Sequence, residues 1–408
     1  MGGAIRALQW MALAILPAGA AAAQPNGKID LAKMRPSGLL VDSYSYMSPP
    51  HNAYYFHHID RLGFRIDRVR RSGPAVPLAA GPALSMADLE GYFARNHVTG
   101  FLVLRRDTVL LERYFHGADR QSRFVSQSVG KSIASILVGV AVEEGKIESI
   151  GDPVTKYLPE LAGSGYRNVT VKNVLQMATG VDYSEDYRDS TSGAARIGAA
   201  LITGRPSFSA FVGSMQPTAV PPGTAFQYQS VDTQLLGLLL ERVTGMKLAK
   251  WAETRLWSKL GAESDAYFYQ AKRQPDTCAF ACYNATLRDY GRIGLLMLGR
   301  GAIGGRRVMS ESWVDQSTTP DADYLKPRAA EGGRPPRSGY GFQWWIPPGE
   351  DGAFMAIGIY GQAIFINPAR QIVVVQTSAW LTPVDFGPLS AEQMRTLATI
   401  AREAGARP

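Results

Sequence analysis

Ser126-Gln127-Ser128-Val129-Gly130-Lys131-Ser132 opens a long apolar run from Ile133 to Glu144. Within it Val129, Ile133, Ile136, Leu137, Val140 and Ala141 recur at three- and four-residue steps, the spacing of a buried helix face. Ser128 and Lys131 are three apart, so they lie one above the other on the same side of that helix. A hydroxyl is a poor nucleophile until its proton is taken, and an ammonium takes a proton only after losing one. In the first turn of a buried helix, desolvation and the positive dipole end both lower a lysine pKa. The spacing therefore points to Ser128 as nucleophile and Lys131 as its partner. Taken alone, Ser-x-x-Lys is a weak signal: a serine near a helix start is commonly a cap, and a lysine commonly faces solvent.

The histidines narrow the chemistry. His51, His57, His58, His97 and His116 all precede Ser128. An α/β-hydrolase triad needs its histidine after the serine, and no Gly-x-Ser-x-Gly surrounds Ser128, so that arrangement is excluded. No His-Glu-x-x-His occurs, which removes the common zinc-protease pattern. What remains for a hydrolase is a lysine-based serine enzyme without metal or cofactor.

With 408 residues, 46% hydrophobic and 19% charged, the chain has the composition of an ordinary globular protein. Its net charge of +8 is spread along the sequence, with one short cluster at Arg65, Arg68, Arg70 and Arg71. A solvated strand or loop edge accounts for that cluster, and no nucleic-acid partner is expected. Arg6 precedes an apolar stretch from Ala7 to Leu16, then Pro17 and small residues ending Ala21-Ala22-Ala23. That is the layout of a secretory signal peptide over residues 1–23 with the cut after Ala23, too short in its apolar core to span a bilayer. A periplasmic or secreted protein with no stable membrane span is expected. Export leaves two states open for Cys278 and Cys282, a disulfide closing a very small loop or two half-buried thiols, since spacing does not report geometry.

Residues 24–85 are rich in Pro, Gly, Tyr and Arg and read as an extended lead-in to one domain over 86–405. Phe101 to Leu104 and Val109 to Phe115, around a polar turn, read as an antiparallel hairpin. Helices are predicted at Val171–Met177, Ser207–Met215, Thr233–Thr244 and Leu287–Leu298. Strands are predicted at Gly341–Trp345, Phe354–Ile357, Ala363–Ile366 and Ile372–Gln376, and a last helix from about Ser390 to Glu403. Strands at both ends and helices between imply an α+β fold: one antiparallel sheet built from both termini, flanked by helices, with an all-helical subdomain over roughly 149–285.

Several spaced segments carry a resemblance. Phe124 through Lys131, Glu144-Gly145-Lys146, Asp152-Pro153-Val154 and Tyr157-Leu158-Pro159 resemble the nucleophile region of serine β-lactamases and DD-peptidases. Thr170 through Gly180, and Pro221 through Tyr228-Gln229-Ser230 to Leu236-Gly237, resemble later segments of that superfamily, the second carrying its tyrosine motif. Ser184-Glu185-Asp186-Tyr187, Trp344-Trp345 and Gly358-Ile359-Tyr360-Gly361-Gln362 look most like the 6-aminohexanoate-dimer (nylon-oligomer) hydrolases and their esterase relatives. The resemblance implies that Tyr228 relays a proton to the leaving group. It also implies that the backbone N–H groups of Ser128 and Ile359 form an oxyanion hole, with Tyr187 and Trp345 near the substrate. An aromatic in either place is as commonly core filling.

The departures bear on the substrate. Where class C enzymes carry Tyr-x-Asn, this chain has Tyr228-Gln229-Ser230, a hydroxyl at Ser230 in place of the amide. Where they carry Lys-Thr-Gly, it has Ala356-Ile357-Gly358, so the cation that helps bind a substrate carboxylate is missing. A small amide or ester, cleaved through an acyl-enzyme, is expected over a cell-wall DD-peptide or a β-lactam. A non-catalytic binding or sensor module of the same fold is the alternative from another class. Retention of Ser128, Lys131 and Tyr228 together argues against it. The sequence does not fix the oligomeric state.

Overall fold

The computed structural model describes residues 45–330, 336–349, 351–385 and 387–406. The expected signal peptide, its cut after Ala23 and the start of the lead-in lie outside the described residues. The strands, in chain order, are β1 (Arg65–Val69), β2 (Ala79–Ala80), β3 (Val98–Arg105), β4 (Thr108–Tyr114), β5 (Arg123–Val125), β6 (Ala266–Gln270), β7 (Tyr283–Thr286), β8 (Ala302–Ile303), β9 (Arg306–Arg307), β10 (Gly339–Tyr340), β11 (Trp345–Ile346), β12 (Phe354–Gly358), β13 (Gln362–Asn367) and β14 (Ile372–Ser378). The helices that matter for the site are α1 (Val129–Glu143), α2 (Ser230–Thr244), α3 (Leu287–Leu298) and α4 (Pro388–Gly405).

The main sheet runs β10-β11-β12-β13-β14-β3-β4-β2, antiparallel throughout except where the two-residue β2 joins β4. Its central strands alternate with period two, as a sheet covered on both faces requires. Leu102, Leu104, Val373 and Val375 belong to the core on the α3 side, whereas Phe101, Val103, Ile372 and Val374 belong to the core with Leu397, Ile400 and Ala401 of α4. Each such fully buried side chain contributes about 1.5–3 kcal/mol through area removed from water. The α3 side also takes in α1 and α2, which pack on each other.

The expected α+β architecture is present: a sheet from both ends of the chain, helices on its faces and a helical insert. Two details differ from the sequence reading. The insert over 149–285 is not all-helical, because β6 and β7 close it and join β1 and β5 in a second sheet of order β1-β6-β7-β5. The physical reason is the lead-in, whose Arg65–Val69 pairs residue for residue with Gln270–Ala266. Of its basic cluster, Arg65 and Arg68 therefore lie on a strand at a sheet edge, and Arg70 and Arg71 follow it. Of the predicted strand Gly341–Trp345 only Trp345 is in a strand, and Gly341–Trp344 form a turn: the Gly341 N–H donates to the Trp344 carbonyl at 2.8 Å, with Gln343 at φ 64.

Candidate active site

β5 leads into α1 through Ser126 and Gln127, and Gln127 takes a left-handed backbone at φ 44. A non-glycine there costs of order 1–3 kcal/mol, and such strain gathers where a side chain must be aimed. The turn is held by the Val129 N–H on the Ser126 carbonyl at 3.1 Å and the Gly130 N–H on the Gln127 carbonyl at 3.0 Å. Ser128 occupies the N-cap position of α1, yet its side chain makes no cap bond. Instead its Oγ is 2.8 Å from Lys131 Nζ. Lys131 is 1% exposed, so it is not a solvent-facing lysine. Burial lowers its pKa to about 8, against a smaller opposing pull from the Glu185 carboxylate. Its second partner is the Phe280 carbonyl at 3.0 Å.

Tyr228 arrives on the segment just before α2. Lys131 Nζ lies 5.2 Å from the centre of its ring. Burial pushes its phenol well above the ordinary value, and the Glu185 charge adds to this. A hydrogen bond with the Ser128 hydroxyl draws it partway back. Of the two candidate proton carriers, Lys131 is thus the one that titrates near neutrality, while the phenol keeps its proton.

The remaining expected residues converge on the same place. Trp345 is half-buried and stacks on Tyr228 with ring centroids 5.3 Å apart. Phe226 and Tyr340 extend this aromatic wall, each edge-on to Trp345. Tyr187 is half-buried, and its hydroxyl donates to Glu185 at 2.5 Å. The Ser230 N–H and hydroxyl donate to the same carboxylate at 2.8 and 2.6 Å. Gly358 ends β12 against the nucleophile turn: a Cβ there would lie 2.8 Å from the Ser126 carbonyl oxygen and 3.0 Å from the Ser128 nitrogen. Only a residue without a side chain lets the strand come so close. Ile359 follows directly as the first residue after the strand. In this register β12 presents Ala356, Ile357 and Gly358, with no lysine among them.

Three contributors were not assigned from sequence. Glu185 lies in a segment quoted for its resemblance, but nothing local shows that it gathers Tyr187 and Ser230. Phe280 acts through its carbonyl, which leaves no side-chain signature. Gln343 is 1% exposed and ties the turn before Trp345 to three helices. It accepts from Ser132 of α1 at 2.6 Å through its carbonyl and from Thr233 of α2 at 2.6 Å through Oε1, and its Nε2 donates to the Leu175 carbonyl at 2.9 Å. Gly-Phe-Gln before Trp-Trp in a predicted strand is the one hint of a turn there.

The family described as Beta-lactamase matches residues 90–398. A 6-aminohexanoate-dimer hydrolase of Paenarthrobacter ureafaciens is 33% identical over 351 residues, 83% of this chain and 88% of that protein. Among solved structures, a putative 6-aminohexanoate-dimer hydrolase from Bacillus anthracis superposes with a TM-score of 0.75 at 23% identity, covering 88% of this chain and 96% of that one. A family VIII carboxylesterase superposes with a TM-score of 0.58 at 18% identity, covering 83% and 100%. At these identities the two structures speak for the fold alone.

Proposed function

The chain belongs to the Beta-lactamase family of serine hydrolases, and from that membership we propose that it cleaves small amides or esters through an acyl-enzyme on Ser128. The observation that carries the reading is the buried Lys131 amine 2.8 Å from the Ser128 hydroxyl, with a pKa lowered to about 8. A neutral amine there accepts the Ser128 proton as Oγ attacks the substrate carbonyl. Negative charge then develops on the carbonyl oxygen, where the N–H groups of Ser128 and Ile359 receive it. The Tyr228 phenol gives its proton to the departing nitrogen or oxygen and is reprotonated by the Lys131 ammonium. Water attacks the acyl-enzyme by the same relay in reverse, restoring Ser128.

Substrate class follows from charge and shape. β12 offers no cation for a substrate carboxylate, and the Glu185 carboxylate adds a like charge nearby. Phe226, Tyr228 and Trp345, packed on the buried Tyr340, supply apolar surface in its place. An uncharged or cationic acyl group on an apolar chain suits these walls better than a penicillin or a D-Ala-D-Ala terminus. The 6-aminohexanoate dimer named for the relative from Paenarthrobacter ureafaciens is one substrate of this kind. The buried Cys278–Cys282 disulfide supports an exported protein, as does the leader-like arrangement of the first residues.

A panel of short-chain esters, linear amides and a fluorescent penicillin, run with wild type and Ser128→Ala, tests the reading. Turnover of esters or linear amides that vanishes in Ser128→Ala is expected. Activity that survives the substitution, or stable labelling by penicillin with no turnover of the others, overturns it.

A further inference from the structure

Lys131 is held at two points, and the second is built with unusual care. The Phe280 carbonyl accepts from Nζ at 3.0 Å, and the Phe280 ring lies over the same nitrogen, 5.6 Å from its centre. Phe280 is the middle residue of a loop whose ends, Cys278 and Cys282, are joined by a disulfide. Both cysteines are fully buried. The loop is wedged between α2 and the nucleophile turn. On one side the Gln234 side chain accepts from the Ala279 N–H at 3.1 Å and donates to the Thr277 carbonyl at 2.9 Å. On the other the Ser126 hydroxyl donates to the Ala281 carbonyl at 3.1 Å and accepts from the Tyr283 N–H at 3.2 Å.

A neutral amine has two N–H donors and one lone pair. With one N–H on the Phe280 carbonyl, rotation about the last bond of the lysine stem is restricted and the lone pair has a defined direction. The Ser128 oxygen lies in reach of it. Lysine otherwise carries a flexible four-carbon stem with freely rotating donors. A carbonyl in mid-loop has no ladder to orient it, and its direction depends on the backbone angles of Ala279, Phe280 and Ala281. Closing the loop covalently restricts those angles. So short a ring removes less freedom from the unfolded chain than a long one, so global stapling is the smaller part of what it achieves.

We propose that the Cys278–Cys282 disulfide is a positioning device for the reaction, holding the Phe280 carbonyl on Lys131 so that the amine stays dry and aimed at Ser128. This rests on the reading of Ser128 and Lys131 as nucleophile and base. The groups facing the amine are the Ser128 hydroxyl, the Tyr228 phenol, the Phe280 carbonyl and ring, and, at longer range, Glu185. With the loop opened, water reaches Nζ, and the pKa that burial had lowered climbs back toward that of free lysine.

The test compares wild type, Ser128→Ala and the double variant Cys278→Ala/Cys282→Ala. It follows covalent labelling by a fluorophosphonate from about pH 6 to about pH 10 and the KM for a short-chain ester. The double variant is expected to label about tenfold more slowly near neutrality, with the midpoint of its acid limb about one pH unit higher and KM within about twofold. A folded double variant with unchanged midpoint and rate overturns the proposal. Should the double variant not fold, wild type made in a reducing cytoplasm, its thiols counted by alkylation, is compared before and after oxidation. Recovery of rate and midpoint on oxidation, at constant circular dichroism, supports positioning. Joint loss of dichroism and labelling marks a mere staple and overturns it. Labelling that persists in Ser128→Ala is a different failure, that of the nucleophile assignment itself.

Discussion

The Glu185 carboxylate accepts both the backbone N–H of Ser230, at 2.8 Å, and its hydroxyl, at 2.6 Å. One acid side chain thereby holds the start of α2, and through the Tyr187 hydroxyl at 2.5 Å it also fixes an aromatic two residues along its own loop. Its charge raises the Lys131 pKa against the effect of burial. Glu185→Gln keeps the shape and an acceptor for Ser230 while removing that charge. The Lys131 pKa is then expected to fall below about 8, so more of the amine is neutral at pH 7 and the acid limb of kcat/KM moves to lower pH. A pH–rate profile of the variant checks the sign; a shift toward higher pH contradicts it.

The same amine makes the site costly to the fold. Lys131 in the unfolded chain titrates near the ordinary 10.5 and in the folded chain near 8. Between these values the unfolded state binds more protons, so stability rises with pH across that window, and the cost is greatest below about pH 8. Lys131→Met removes a buried charge and keeps the volume. It is expected to abolish labelling of Ser128 and, near pH 7, to stabilise the fold by about 1–3 kcal/mol. Thermal melts at about pH 7 and pH 10 decide the matter, because the gain should shrink at the higher pH.

Gly358 sets the distance between β12 and the nucleophile. In Gly358→Ala the added carbon meets backbone atoms of Ser126 and Ser128 at 2.8 and 3.0 Å, and backbone cannot swing aside as a side-chain tip does. The strand is expected to move away from the turn and take the Ile359 N–H with it. Loss of an oxyanion donor costs about 10²- to 10³-fold in kcat with little change in KM. Steady-state kinetics on an ester separates the two; an unchanged kcat removes Ile359 from the proposed oxyanion hole.

Asp232, in the first turn of α2, is fully buried. It accepts from Tyr166 at 2.8 Å and Thr179 at 3.1 Å. Burial outweighs those hydrogen bonds and raises its pKa from 3.8 to about 8. Between these values the folded state holds a proton that the unfolded state has lost, so stability falls as pH rises. Asp232→Asn removes that slope while keeping an acceptor for Tyr166. Its stability advantage over wild type is expected to grow from about pH 4 to about pH 8, reaching about 1–3 kcal/mol. Parallel melting curves across that range count against it.

Much of the architecture was legible because it is written locally. Apolar runs around a polar turn pointed to the central hairpin, and the three-residue step from Ser128 to Lys131 placed both side chains on one face of a helix before any packing was known. The turn at Gly341–Trp344 was misread because its aromatic residues mimic a strand, while the side-chain bonds of Gln343 that enforce the bend reach distant helices. β6 and β7 were missed because β6 pairs with a strand of the lead-in about two hundred residues earlier in the chain, and β7 lies between β6 and β5.

The sequence by itself determined that a serine and a lysine share the first turn of a buried helix, since helical pitch alone brings them together. Only the tertiary structure decided which groups surround that pair. The Phe280 carbonyl lies 149 residues from Lys131 along the chain, and Gly358 and Tyr228 approach Ser128 from different elements. Contacts over such separations depend on how sheets and helices dock. The dry setting that lowers the Lys131 pKa exists only once they have docked, because it comes from many neighbours excluding water together.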